Sequence, residues 1–140
     1  MYSTRRKQNV YWKKWYANRS SAQKKKMNDK RRRYKQTTNG VMHGRLRTLR
    51  VRHAGQKVAT IRQLRLLWEK QCGICPLTNR NLTLQTAELD HICPKSAGGS
   101  GRVKNLRWVH KDANQARMKL SDAEFDAVCI DRAKVLGMKF

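Results

Sequence analysis

Apolar positions recur at helical spacing in the second half of the chain and thin out in the first. Ile61, Leu64, Leu67 and Trp68 form one stripe that runs up to Gln71. Thr60 and Gln63 carry the Thr-x-x-Gln pattern of a capping box, so a core-facing helix is predicted to start there. Leu82, Leu84, Ala87 and Leu89 lead into the first strand of a hairpin, and Leu106, Trp108 and Val109 make its second strand. Residues 110–119 then suit a helix. Ser121 and Glu124 form a second capping box, opening a last helix with Phe125, Val128, Cys129, Ala133 and Leu136 predicted inward.

The first half reads differently. Thr37, Thr38, Asn39 and Gly40 signal a turn. After it, Met42, Leu46 and Leu49 recur at four and three residues, which predicts a short helix whose other faces carry Arg45, Arg47, Arg50 and Arg52. His53 lies beyond that helix and, like His43, reads as a surface histidine. Residues 5–38 are basic and polar, with Tyr11, Trp12, Trp15 and Tyr16 as their dense apolar group. A helix is permitted there, but its apolar face fades before Met27 and Tyr34, so it needs a partner to order it.

Charge sharpens this division. The 140 residues hold 33 Lys and Arg against nine Asp and Glu, a formal +24. Residues 1–60 carry 19 basic groups against one acid, net +18, and residues 61–140 carry 14 against eight, net +6. Self-repulsion of that size points to a polyanionic partner, most commonly nucleic acid. The chain is therefore expected to divide into a basic arm, residues 1–57, and a domain, residues 58–140, that folds without it. No apolar run approaches the roughly 20 residues that span a bilayer, and the start has no apolar signal core, so a soluble, intracellular protein with no membrane partner is expected. Four cysteines would allow two disulfides, but Cys72-x-x-Cys75 in such a basic chain more readily suggests metal. Monomer and homodimer both remain open.

Candidate chemistry concentrates in residues 88–114, ELDHICPKSAGGSGRVKNLRWVHKDAN. Asp90 directly precedes His91, a Gly-rich loop follows at Gly98, Gly99 and Gly101, and Asn105 and Asn114 lie on the return. Hydrolysing a phosphodiester needs a base to take a proton from water and a divalent ion to hold the phosphate oxygens. His91 suits the first task, because its unperturbed pKa near 6.5 leaves it neutral at physiological pH. Asp90 and Asn114 suit the second, since Mg²⁺ accepts hard oxygen ligands and keeps several waters.

The pattern Leu89-Asp90-His91-x-x-Pro94, then Gly98-Gly99, Asn105-Leu106 and Asn114 resembles the HNH endonucleases, in the branch that reads DH…N…N. The resemblance covers about residues 70–125. It implies an α+β fold, a small ββα-metal core flanked by helices, with the basic helical segment as an N-terminal arm. His91 is then the general base and Asn105 the residue that braces the loop and holds the histidine ring. Asp90 and Asn114 hold Mg²⁺ or Mn²⁺, and the products carry 5′-phosphate and 3′-hydroxyl ends. Small proteins of this kind resemble phage-borne or intron-borne homing endonucleases, which implies double-stranded DNA as substrate and a host-cytoplasm location. Many members also carry two CxxC pairs around a structural zinc. The second pair falls at His110 and Ala113 here, so the resemblance offers Cys72, Cys75 and His110 as zinc ligands, with Cys93 the nearest further thiol. The alternative is a relic turn in which the cysteines pack as small apolar residues.

The basic residues expected to contact DNA phosphates are Lys24, Lys25, Lys26, Arg31, Arg32 and Arg33 in the arm. Arg45, Arg47, Arg50 and Arg52 follow on the next helix, and Lys95, Arg102, Lys104, Arg107 and Arg117 surround the candidate site. Two other readings stand beside the nuclease: a non-catalytic nucleic-acid-binding protein, and an RNA- or ribosome-associated basic protein.

Overall fold

The computed structural model describes residues 4–138, with side chains from Val10 onward. Six α-helices, two single-turn 3-10 helices (Lys95–Ala97 and Val103–Asn105) and one antiparallel pair of strands make a mixed α+β architecture among these residues. The helices are α1 (Thr4–Ala17), α2 (Ser21–Gln36), α3 (Thr38–Arg52), α4 (Ile61–Lys70), α5 (Lys111–Arg117) and α6 (Asp122–Val135). The strands are β1 (Ala87–His91) and β2 (Leu106–His110). No helix among the described residues is long and apolar enough to cross a membrane.

Local sequence accounts for the helix starts. Thr60 with Gln63 and Ser121 with Glu124 form the two expected capping boxes, and Ser20 with Gln23 forms a third. Each satisfies two amide donors that a helix start otherwise leaves unpaired. The expected turn at residues 37–40 closes to a single residue: Thr37 ends α2 and its hydroxyl caps α3 through the Gly40 amide. Gly40 lies against the end of α2, where an added Cβ would sit 1.8 Å from the Tyr34 carbonyl oxygen.

The core lies between α3, α4 and the hairpin. Met42, Leu46 and Leu49 of α3 pack in one cluster with Leu64 of α4 and Leu106, Trp108 and Val109 of β2. Trp108 donates its indole N–H to the Leu64 carbonyl at 3.2 Å and meets Trp68 edge to face at 5.5 Å. Gln71 clamps the outer edge of β2, accepting from the Trp108 amide at 2.7 Å and donating to its carbonyl at 2.8 Å. This core runs across the expected division at residue 57, because the apolar stripe of α3 is as buried as that of α4. Outside this core lie α1 and α2, whose described side chains are half-buried at most.

At the far end, α6 departs from expectation. Phe125 is buried, but Val128, Cys129 and Leu136 are exposed, as are Val135 and Met138. Ala133, also expected inward, is half-buried, and Phe125 is the one buried residue described in α6.

Candidate functional site

The hairpin sets the register of the site. Asp90 pairs across the strands with Arg107 and His91 with Leu106, and the pairing continues through the Ile92 amide to the Asn105 carbonyl. The loop that follows is braced from within. Asn105 accepts from the Cys93 amide at 2.8 Å and donates to the Cys93 and Ser100 carbonyls at 3.1 and 2.9 Å. Gly99 passes so close to this bracket that a Cβ there would lie 1.8 Å from the Cys93 oxygen. Asn105 therefore braces the loop, while the His91 ring is held from another direction, by His53. The two Nε2 atoms are 2.9 Å apart.

Asp90, His91 and Asn114 converge on one cleft of about 500 Å³, between β1, the 92–104 loop and α5. Arg52, Lys95 and Lys119 also line it, and this basic wall favours an anionic ligand; Arg117, on the same wall, is balanced by Asp90. Burial is the largest influence on His91, pushing its pKa below the ordinary histidine value. His53, Arg52 and Arg117 push the same way, and Asp90 opposes them. His91 is thus neutral at physiological pH, as a proton acceptor must be. Asn114 donates its amide nitrogen to Glu88 at 2.7 Å, which leaves its oxygen Oδ1 as the group for a ligand.

Asp90 sits at the centre of an ion network. Arg117 Nη2 contacts its two oxygens at 2.7 and 3.0 Å, and Arg107 Nε contacts Oδ2 at 3.0 Å. Arg107 also grips Asp122 with both terminal nitrogens, at 2.6 and 2.5 Å. Two cations and two anions so balance one another, joining β1, β2, α5 and the start of α6. A buried charge is tolerable only when paired in this way. Arg107 and Arg117, expected on DNA phosphates, are 9% and 1% exposed; their guanidinium groups are committed to Asp90 and Asp122 and cannot reach a backbone outside. Arg45 likewise turns inward, donating to the Ala87 carbonyl at 3.1 Å and lying 3.5 Å from Glu88. Lys95 reaches the Arg52 carbonyl at 2.6 Å, and Lys24 folds onto the Ala17 carbonyl at 3.1 Å. Lys25, Lys26, Arg31, Arg32, Arg33, Arg47, Arg50, Arg52, Arg102 and Lys104 are exposed.

The Arg107 hydrogen bonds hold Asp122 below the ordinary carboxylate range, with partial burial opposing them. A depressed folded pKa means stability that is present above about pH 4 and lost as pH falls through the folded value. Asp122→Asn is accordingly expected to flatten the acid limb of Tm against pH below about pH 4. An unchanged limb would show that this ion pair contributes nothing to the fold.

The proposed zinc ligands are not gathered. Among the described residues no three His, Cys, Asp or Glu side chains converge as a metal-holding group. Cys72 is exposed, whereas Cys75 is buried and its sulfur accepts the His110 amide at 3.3 Å. Burial pushes the Cys75 thiol up, but hydrogen bonds from Thr78 and from the His110, Leu77 and Thr78 backbone outweigh it and leave the pKa lowered. The His110 ring faces its own helix, Nδ1 accepting from the Asp112 amide at 3.3 Å. Positive φ angles at Cys72, Gly73 and Asn79, with the Cys75 amide on the Arg80 carbonyl, make residues 72–82 a tight turn that hydrogen bonds hold by themselves.

Three partners in the site lie outside the sequence expectations: His53, Glu88 and Asp122. A signal for His53 is present, because it continues the spacing Met42, Leu46, Leu49 by four further residues. For Glu88 and Asp122 nothing in the sequence separates them from solvated acids. Set against models of protein families, curated proteins and solved structures, the chain matches none.

Proposed function

We propose that this chain is a metal-dependent endonuclease of the HNH type acting on double-stranded DNA. The observation that carries the reading is the convergence of Asp90 and His91 from β1 and Asn114 from α5 on one basic-walled cleft. His91, held neutral by burial, takes a proton from water. The water oxygen attacks phosphorus, the bond from phosphorus to the 3′ oxygen breaks, and that oxygen takes a proton from solvent water and leaves as the 3′ hydroxyl, while His91 returns its proton to solvent. Arg52 and Lys95 hold the phosphates at the cleft mouth, and the exposed basic residues of α2 and α3 hold flanking backbone.

Two oxygen ligands of the kind a divalent ion takes line the cleft, although both Asp90 oxygens already meet guanidinium groups. Asp90 and the free Asn114 amide oxygen are hard donors, and two such ligands suffice for an ion that keeps its waters. When bound, the ion supplies charge to offset that developing on the phosphate oxygens. The Arg107 and Arg117 contacts on Asp90 lower the affinity of that position for a cation, and they favour a second reading, a nucleic-acid-binding protein without catalysis. Metal dependence separates the two. Asp90→Ala and Asn114→Ala are each expected to raise the Mg²⁺ concentration needed for half-maximal cleavage, with Mn²⁺ restoring part of the activity because such sites bind it more tightly. Cleavage that persists in excess chelator would remove the metal role of both residues.

A further inference from the structure

His53 is 3% exposed, although it follows a helix of arginines in a chain segment dominated by charge. Its ring is enclosed by the glycine loop, where a Cβ on Gly101 would lie 3.0 and 3.1 Å from Cδ2 and Cγ. Both ring nitrogens are engaged. Nδ1 is 3.3 Å from the Gln56 side-chain oxygen, and Nε2 is 2.9 Å from His91 Nε2.

The donors and acceptors can be assigned from these contacts. An amide oxygen only accepts, so His53 Nδ1 carries the proton of that bond. With one proton on each ring, His53 Nε2 is bare and the single proton between the rings belongs to His91 Nε2. Neutral His91 is left with its lone pair on Nδ1, which has no hydrogen-bond partner among the described residues. We propose that His53 is a positioning residue that fixes His91 as its Nε2–H tautomer, making Nδ1 the atom that takes the proton from the attacking water. The assignment rests on the nuclease reading of the cleft. Through that Nε2–H bond His53 orients the His91 ring without touching substrate. Gln56 acts one step further out by keeping the proton on His53 Nδ1.

Long-range ¹H–¹⁵N spectra of the full-length, ¹⁵N-labelled chain report histidine tautomers directly and do not depend on activity. The wild type is expected to show His91 protonated at Nε2 and bare at Nδ1. In His53→Leu the buried N–H loses its acceptor, so the His91 pattern should shift. The kcat for DNA cleavage should fall about 10–100-fold, the usual range for a partner that orients a functional histidine, with KM for DNA little changed. His53→Gln places an oxygen near the lost Nε2 and should recover both the spectrum and most of kcat. Gln56→Ala changes an exposed residue and so leaves the fold intact should His53→Leu fail to fold; it is expected to lower kcat severalfold and mix the tautomers. A wild-type His91 protonated at Nδ1, or full activity of His53→Leu beside an inactive His91→Ala, overturns the positioning role alone. Absence of cleavage by the wild-type chain overturns it together with the reading on which it rests.

Discussion

His91→Ala is expected to lower the rate of DNA cleavage by at least about 10²–10⁴-fold, the usual contribution of a positioned general base, while DNA affinity stays essentially unchanged. The two quantities separate because proton abstraction belongs to the transition state, whereas the basic surface binds the ground state. His91 is 9% exposed and its ring lies against His53, so its loss removes little of what the DNA backbone can reach. Initial rates with saturating DNA, beside a filter-binding isotherm, make the comparison. Cleavage by His91→Ala at the wild-type rate would end the assignment of His91 as the base.

Deleting residues 1–36 is expected to leave a folded chain whose DNA binding has much weaker salt dependence. These residues hold 14 of the 33 basic side chains and include no described buried side chain. Each phosphate that the protein no longer neutralises takes about 0.9 from the slope of log affinity against log salt, so about six of them would flatten it by roughly 5. Deleting residues 1–57 should instead abolish folding. Met42, Leu46 and Leu49 are 2%, 4% and 3% exposed, and removing each such side chain typically costs about 2–5 kcal/mol. Together they match a typical total stability of about 5–15 kcal/mol. Circular dichroism and the salt series on both truncations check this. An unchanged salt slope after the shorter deletion would show that α1 and α2 do not touch DNA.

The contrast between those truncations marks where sequence and structure part. The stripe of Met42, Leu46 and Leu49 is plain in the sequence, as are the capping boxes at Thr60 and Ser121, the two strands, and the turn that Thr37 makes. Charge places that stripe in the arm, because the arginines on the other faces of α3 dominate any count. Yet a helix can be basic on three sides and core on the fourth. The same limit applies inside the site. Asp90, His91 and Asn114, which meet at one cleft, are legible from residue type and spacing, but pairing is not. Arg107 and Arg117 have the composition of phosphate contacts and the burial of core residues, because Asp90 and Asp122 draw them inward from distant positions in the chain. His53 escapes notice for a related reason. A stripe traced through apolar residues alone stops at Leu49, although the next position on the same face is the histidine that meets His91. In α6 the error runs the other way, since periodicity at Val128 and Leu136 shows which residues share a face and not whether anything covers it.

Supercoiled plasmid incubated with the wild-type chain, in Mg²⁺ and in excess EDTA, tests the central claim most directly. A working nuclease site predicts nicked circles that accumulate with time in Mg²⁺ and are absent in EDTA. Plasmid that stays supercoiled in both Mg²⁺ and Mn²⁺, while the chain retains it in a binding assay, would contradict the claim and leave a nucleic-acid-binding protein in which Asp90 serves only Arg107 and Arg117.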